Sequence, residues 1–151
     1  MTRQDTHLSR LQENALLLDI LAEHATTQAD KTAFVFIGGD GAETHLNFDE
    51  LFAAVGRFSN WIGNTVGPGD RVLVALDSGA DYVTSFLGAL AAGAIPVPIF
   101  PPETARSHHM SRLQSVISDA APALVVTNQQ STSNLQAMTD VTVATPQDCH
   151  D

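Results

Sequence analysis

Between Gly69 and Pro102, apolar and polar positions alternate in a pattern that predicts a strand, a helix and a second strand. Val72–Leu76 is a short apolar run, Ala80–Ala92 has apolar positions at helical spacing, and Ile95–Phe100 is apolar again. Two strands joined by a helix lie parallel in one sheet, because the crossover returns the chain to its starting edge. The pattern therefore predicts an α/β fold with a mostly parallel sheet flanked by helices.

The preceding part of the chain predicts a helix, a β-hairpin and a second helix. The first helix spans residues 14–27, and strands at 31–37 and 43–46 enclose a glycine-rich turn. A phosphate-binding loop would need a helix directly after the glycines, and here a strand follows, so we expect a plain turn. Asn47 and Glu50 form a capping-box pattern, which predicts that an amphipathic helix begins after Asn47.

The remainder of the chain predicts two more strands and two more helices. A helix is expected at 107–120, a buried strand at 123–127, a short helix around Leu135 and a last strand at 141–143. No internal repeat interrupts this order. We predict a flexible N-terminus at 1–13, a single α/β subdomain at 14–144 and a tail at 145–151.

Prolines and glycines add detail to the predicted strand, helix and strand between Gly69 and Pro102. Pro96 and Pro98 alternate with apolar residues in the second strand, and each removes a donor from the ladder, so we expect this strand to pair on one side or to be irregular. The segment Asp77–Gly79 is expected to cap the crossover helix, and Gly93 is expected to end it.

Composition narrows the range of partners. The 151 residues include seventeen acidic and seven basic side chains, a net charge of -10, which disfavours nucleic acid and anionic membrane surfaces. No apolar run is long enough for membrane insertion. The single cysteine, Cys149, cannot form an internal disulfide, which fits a cytoplasmic location. The charged fraction of 16% is low, so we expect some surfaces to be covered by a partner.

Catalytic motifs are absent from the sequence. The first strand of the central unit is followed by Leu76–Gly79 (LDSG) and not by a glycine-rich dinucleotide fingerprint, and there is no phosphate-loop or nucleophile-elbow motif. The hydroxyl-rich run at 127–133 (TNQQSTS) lacks the glycines and the lysine of a phosphate loop. Asp77 and Ser78 follow a central strand, where open α/β sheets place ligands, so they are candidate ligand-facing residues, while the cofactor-binding residues are unknown from the sequence. No catalytic and no metal-binding residues are predicted.

The ordered series of segments resembles the N-terminal part of the acyl-adenylate-forming enzymes. Four elements carry the resemblance: Leu46–Leu51 (LNFDEL), with Asn47 in place of the family's hydroxyl residue, Gly69–Val72 (GDRV), Leu90–Pro98 (LAAGAIPVP) and Pro101–Pro102. The last element and the helical segment SRLQSVISDA are most similar to fatty acyl-AMP ligases. The resemblance extends from about Leu16 to Val143 and implies a partial N-terminal subdomain of such an enzyme.

The resemblance implies an activity for a longer protein. Such a ligase activates a fatty acid with ATP and Mg²⁺ as an acyl-adenylate and passes the acyl group to an acyl carrier protein, including those of polyketide and nonribosomal peptide assembly lines. The family's phosphate loop, adenine-binding motif, hinge and catalytic lysine all lie beyond the matching region. This chain would therefore supply scaffold, and it would bind neither ATP nor Mg²⁺ by itself.

Three hypotheses remain open from the sequence. The chain is an N-terminal scaffold portion of a fatty acyl-AMP ligase, inactive alone, whose partner is the remainder of the ligase. Alternatively, it is a short non-catalytic interaction module that kept the fold and pairs with a partner or with itself. A third hypothesis is an unrelated flavodoxin-like binder of small molecules.

Overall fold

A computed structural model describes residues 16–102 and 107–150. The elements in chain order are α1 (Leu17–Thr27), β1 (Thr32–Ile37), β2 (Glu43–Asn47), α2 (Phe48–Ile62), β3 (Arg71–Ala75), α3 (Ala80–Ala91), β4 (Ile95–Ile99), α4 (Ser107–Ala120), β5 (Leu124–Thr127), α5 (Thr132–Gln136), β6 (Val143–Ala144) and a 3-10 helix (Pro146–His150). The 3-10 helix lies within the segment predicted as a tail. The predicted flexible segment 1–13 lies outside the described residues.

The chain divides into two compact units, Met1–Ala53 and Ala54–Asp151. In the first unit, β1 pairs with β2 in antiparallel register, with Phe36 opposite Thr44. The Gly38 amide donates to the Ala42 carbonyl at 2.8 Å, and Gly41 has a φ of 79°, which favours glycine at this position of the turn. The glycine-rich stretch is therefore a hairpin turn, as predicted.

A capping box begins α2. The Asn47 side-chain oxygen accepts a hydrogen bond from the Glu50 amide at 2.8 Å, and the Glu50 carboxylate accepts one from the Asn47 amide at 3.0 Å. The two reciprocal bonds satisfy amides that the first turn of a helix leaves without a partner. The prediction of this cap from the sequence is confirmed.

In the second unit, four parallel strands form a sheet in the order β4-β3-β5-β6. Alternate residues of β3 point to opposite faces, so the sheet is buried on both sides. The first core cluster lies on one face and consists of Phe58, Ile62, Val66, Val72, Val74, Leu76, Ala89, Ala94, Leu124, Val126 and Ala144. The second core cluster lies on the other face and consists of Leu73, Ala75, Leu113, Ile117, Val125 and Leu135.

The predicted α/β fold is confirmed: helices α2 and α3 contribute to the first core cluster, and α4 and α5 contribute to the second. A close approach fixes the position of α3. A Cβ atom on Gly88 would lie 2.6 Å from Cδ1 of Phe58, so α2 and α3 touch where Gly88 has no side chain. Gly93, with a φ of 77°, follows the end of α3 as the predicted helix stop.

Candidate functional site

The connections from β3 and from β5 lead to opposite edges of the sheet. From β3 the chain crosses through α3 to β4 at one edge, whereas β5 lies on the other side of β3 and leads to β6. The helices that follow β3 and β5 lie on opposite faces, α3 with the first core cluster and α5 with the second. In open α/β sheets the crevice beyond two such neighbouring strands is the usual place for a ligand.

Asp77 and Ser78, the candidate residues from the sequence, lie beside this crevice on the β3 side. Both are exposed, and no hydrogen bond joins either side chain to another described residue. The segment Asp77–Gly79 contains the N-cap of α3, as expected, but neither Asp77 nor Ser78 supplies a capping side chain. The N-cap position falls on Gly79, and because glycine has no side chain, the N-cap makes no side-chain hydrogen bond to the first turn of α3.

Three polar residues lie on the β5 side of the crevice. Thr127 is fully buried, and its hydroxyl donates to the Ala75 carbonyl at 2.9 Å, so it ties the end of β5 to the end of β3. The Asn128 side-chain oxygen accepts a hydrogen bond from the Ser131 amide at 2.9 Å, which shapes the turn into α5. These polar groups hold the strand ends in place.

Ser131 was not singled out from the sequence. Its hydroxyl is fully buried and has no hydrogen-bond partner among the described residues, a property it shares with Ser85 in α3. The sequence carries only the hydroxyl-rich composition of residues 127–133, and a run of this kind does not distinguish a buried hydroxyl from an exposed one. Burial of Ser131 follows from its place beside β5, which only the fold establishes.

The described residues contain neither a cluster of metal-ligating side chains nor a phosphate loop. Within residues 16–102 and 107–150, no group of three or more His, Cys, Asp or Glu side chains is arranged to hold a metal ion. The turn after β5 has neither glycine nor lysine, so it cannot wrap a phosphate with backbone amides as a phosphate loop does.

Cys149 in the 3-10 helix is the one described group with a clear electrostatic perturbation. It is partly buried and packs against the first core cluster. Burial raises the pKa of the Cys149 thiol above its ordinary value of 9.0, and the charge of Arg57 lowers it to a smaller extent. A raised pKa leaves the thiol protonated near neutral pH, which is the opposite of what a nucleophilic cysteine needs.

Comparison with known proteins identifies the family of this chain. The model of the family described as AMP-binding enzyme matches residues 21–150, which is most of the chain. The chain belongs to the AMP-binding enzyme family. The sequence-based resemblance to acyl-adenylate-forming enzymes is therefore confirmed. No helix in the described parts of this family member combines the length and apolarity that a membrane crossing requires.

Several relatives are fatty acid ligases. The chain is 30% identical over 131 residues to the long-chain-fatty-acid–AMP ligase FadD32 of Mycobacterium marinum, covering 84% of this chain and 20% of that protein. It is 34% identical over 112 residues to the long-chain-fatty-acid–AMP ligase FadD26 of Mycobacterium tuberculosis, covering 72% of this chain and 19% of that one. The chain thus spans about a fifth of the length of the curated relatives it matches.

Solved structures share the backbone architecture. The fatty acid AMP ligase of Legionella pneumophila superposes with a TM-score of 0.78 at 20% identity, over 92% of this chain and 24% of that chain. A structure of VinN with L-aspartate superposes with a TM-score of 0.73 at 27% identity, over 90% of this chain and 36% of that one. The described residues therefore correspond to one part of a larger adenylate-forming fold.

Proposed function

We propose that this chain is the N-terminal scaffold portion of an ATP-dependent fatty acyl-AMP ligase and is inactive alone. The whole enzyme would activate a fatty acid as an acyl-adenylate and transfer the acyl group to an acyl carrier protein. The observation that carries the proposal is the extent of the match: the family model covers residues 21–150, yet the chain spans about a fifth of each fatty acid–AMP ligase to which it is similar.

The second unit supports a scaffolding role. Its central strands are buried on both faces, and Thr127 uses its hydroxyl to join β5 to β3. At the crevice, the side chains of Thr127 and Asn128 make structural hydrogen bonds, whereas Asp77 and Ser78 are exposed. We infer that ATP and Mg²⁺ bind to the remainder of the ligase, and that Asp77 and Ser78 face a ligand only when that remainder is present.

The test is fatty-acid-dependent exchange of pyrophosphate into ATP. Two proteins are compared: the 151-residue chain, and the longest protein encoded by the reading frame that contains it. We expect no exchange above the blank for the chain alone. The longer protein should catalyse exchange that requires both fatty acid and Mg²⁺, and it should add a fatty acyl mass to a phosphopantetheine-bearing carrier protein.

Two outcomes would contradict the proposal. Clear exchange by the 151-residue chain would show that it is not inactive alone. A reading frame that stops after Asp151 would favour the second hypothesis, a non-catalytic interaction module. The exposed apolar residues Phe34, Val35 and Ile37 of β1 favour that hypothesis too, because they offer a surface for a separate partner.

A further inference from the structure

The last paired residues of β3 and β5 form the floor of the crevice. In the parallel ladder between these strands, Ala75 lies opposite Thr127, and β5 ends at Thr127. After this pair the two chains separate, because β3 leads to α3 beside the first core cluster and β5 leads to α5 beside the second. The geometry of this last pair therefore determines where the crevice opens.

The Thr127 hydroxyl joins this pair from the side of the second core cluster. Val125 belongs to that cluster, and Thr127 lies two residues further along the strand, so its side chain points to the same face. The hydroxyl donates to the Ala75 carbonyl at 2.9 Å, and both residues are fully buried. Such a bond is costly to leave unmade, because neither group can bond to water instead.

The first core cluster holds the other face of the same segment. Leu76 follows Ala75 directly, is 7% exposed and belongs to the first core cluster. These two contacts lie on opposite faces of the sheet, so together they restrict how the backbone leaves β3. Asp77 and Ser78 come next with exposed side chains. The position of Asp77 and Ser78 thus depends on how Ala75 and Leu76 are held.

On the β5 side the chain turns directly after Thr127. The Asn128 carbonyl accepts hydrogen bonds from the Ser131 amide at 3.2 Å and from the Thr132 hydroxyl at 3.1 Å. The Asn128 side-chain oxygen accepts a further bond from the Ser131 amide at 2.9 Å. The Thr127 hydroxyl therefore joins the start of this turn to the end of β3.

We propose that Thr127 is a positioning residue for the adenylation reaction of the longer ligase. Its hydroxyl acts through the Ala75 carbonyl and holds Asp77 and Ser78 at the crevice, where they face the ATP that the remainder of the ligase binds. A carboxylate and a hydroxyl hydrogen-bond to a polar ligand and are unsuited to an acyl chain, so ATP is the co-substrate concerned. This inference rests on the proposed function, because the reaction belongs to a protein longer than this chain.

The kinetics of pyrophosphate exchange test this role in the longest protein encoded by the reading frame. Thr127→Val keeps the shape of the side chain and removes the hydroxyl, whereas Thr127→Ser keeps the hydroxyl. A displaced Asp77–Ser78 segment weakens ATP binding equally in the ground state and the transition state. We therefore expect Thr127→Val to raise the KM for ATP about tenfold, with kcat and the KM for fatty acid changed less than about twofold. Thr127→Ser should have the wild-type KM for ATP.

Two further variants act as checks on stability. Asn47→Ala removes a side-chain hydrogen bond from the first unit, whereas the crevice belongs to the second, so its KM for ATP should equal the wild-type value. Thr127→Ala is a second variant without the hydroxyl and should show the same rise in KM as Thr127→Val. An unchanged KM in the variants without the hydroxyl, or an equal rise in Thr127→Ser, would overturn the positioning role.

Amide hydrogen exchange in the 151-residue chain gives a readout that does not depend on activity. Ala75 belongs to the last pair of the ladder, and Leu73 lies two residues earlier on the same strand and in the same core cluster. Loss of the Thr127 hydroxyl should let the last pair open locally, so we expect Thr127→Val to speed exchange at Ala75 about tenfold relative to Leu73. Equal acceleration at both amides would indicate a loss of global stability alone and would overturn the proposal.

The wild-type longer protein separates this inference from the proposed function. Exchange of pyrophosphate by the wild type, together with an unchanged KM for ATP in Thr127→Val, would leave the proposed function standing and overturn only the positioning role. No exchange by the wild type would overturn the proposed function and, with it, the role of Thr127 in that reaction.

Discussion

The hairpin of the first unit and the parallel sheet of the second unit have similarly apolar strands but very different burial. In β3, Val72, Leu73, Val74 and Ala75 are all fully buried. In β1, no residue is buried, and Ile37 is 72% exposed. The difference lies in the number of neighbours: β3 lies between two strands and two core clusters, whereas β1 has one neighbouring strand among the described residues.

An apolar sequence shows that a strand is suited to burial. It does not show whether the strand is buried in a given chain. Exposure of apolar side chains along an unpaired edge is unfavourable in water and promotes association. The second unit buries its apolar strand residues in two core clusters, whereas apolar side chains of the hairpin are exposed. Four predictions test this contrast.

The largest expected effect is the difference in the free energy of unfolding lost when each of two phenylalanines is replaced by alanine. Phe58 is 1% exposed in the first core cluster, and Phe34 is 39% exposed in β1. Phe58→Ala should lower the free energy of unfolding by about 3–5 kcal/mol, because it removes buried contacts and leaves a cavity. Phe34→Ala should cost about 1 kcal/mol or less. Urea unfolding followed by circular dichroism measures both, and equal losses would show that the hairpin has as much core as the sheet.

The next effect concerns the contact between α2 and α3. Gly88→Ala places a Cβ atom 2.6 Å from the ring of Phe58, so the helices must separate, and we expect a loss of about 1–3 kcal/mol. Gly56 in α2 is the matched control, because nothing lies within 4 Å of an added Cβ there. Gly56→Ala should stabilise the chain by about 0.5–1 kcal/mol. Unfolding midpoints that move in the same direction would contradict this account of the packing.

A smaller effect is expected at the start of α2. Asn47→Ala removes the side-chain oxygen that accepts from the Glu50 amide, and we expect a loss of about 1 kcal/mol. Asn47→Asp keeps an oxygen in the same place and should retain most of the stability. Thermal unfolding of both variants is the measurement. A loss of the same size in Asn47→Asp would show that the cap is not the cause.

The smallest effect concerns Cys149. Burial raises the pKa of its thiol, so the folded chain holds the thiol proton more tightly than the unfolded chain. The resulting stabilisation is present below the ordinary thiol pKa of 9.0 and is lost as the pH rises through the higher pKa of the folded state. Labelling with a thiolate-specific disulfide reagent should therefore have a higher pH midpoint in the native chain than in urea. Coinciding midpoints would indicate that Cys149 is not buried in solution.

Local signals predicted the elements well. The cap at Asn47 depends on a side chain three residues from its partner, and the turn around Gly41 depends on one backbone conformation, so both are visible in a short stretch of sequence. The one-sided pairing expected from Pro96 and Pro98 is confirmed, because β4 is an edge strand. The predicted and observed boundaries of the last strand differ slightly. The sequence predicts this strand at 141–143, and in the structure it is Val143–Ala144.

Burial was harder to predict than element type. Leu17, Ile20, Leu21 and Ala25 recur at the spacing of one helix face in α1, yet only Leu21 of these is buried and Leu17 is 56% exposed. The candidate site shows the same limit. The sequence placed Asp77 and Ser78 at a strand end, and the structure adds that they lie where the chain reverses across the sheet. Their part in binding a ligand remains a prediction.

The sequence by itself determined the order of helices and strands, the parallel β3–α3–β4 unit, the capping box and the family resemblance. Each of these depends on residues that are close in the chain or on the linear order of segments. Only the tertiary structure decided that β5 lies beside β3, that Gly88 meets Phe58 and that β1 keeps an open apolar edge. These features depend on which distant segments become neighbours, and hydrophobicity along the chain does not encode that choice.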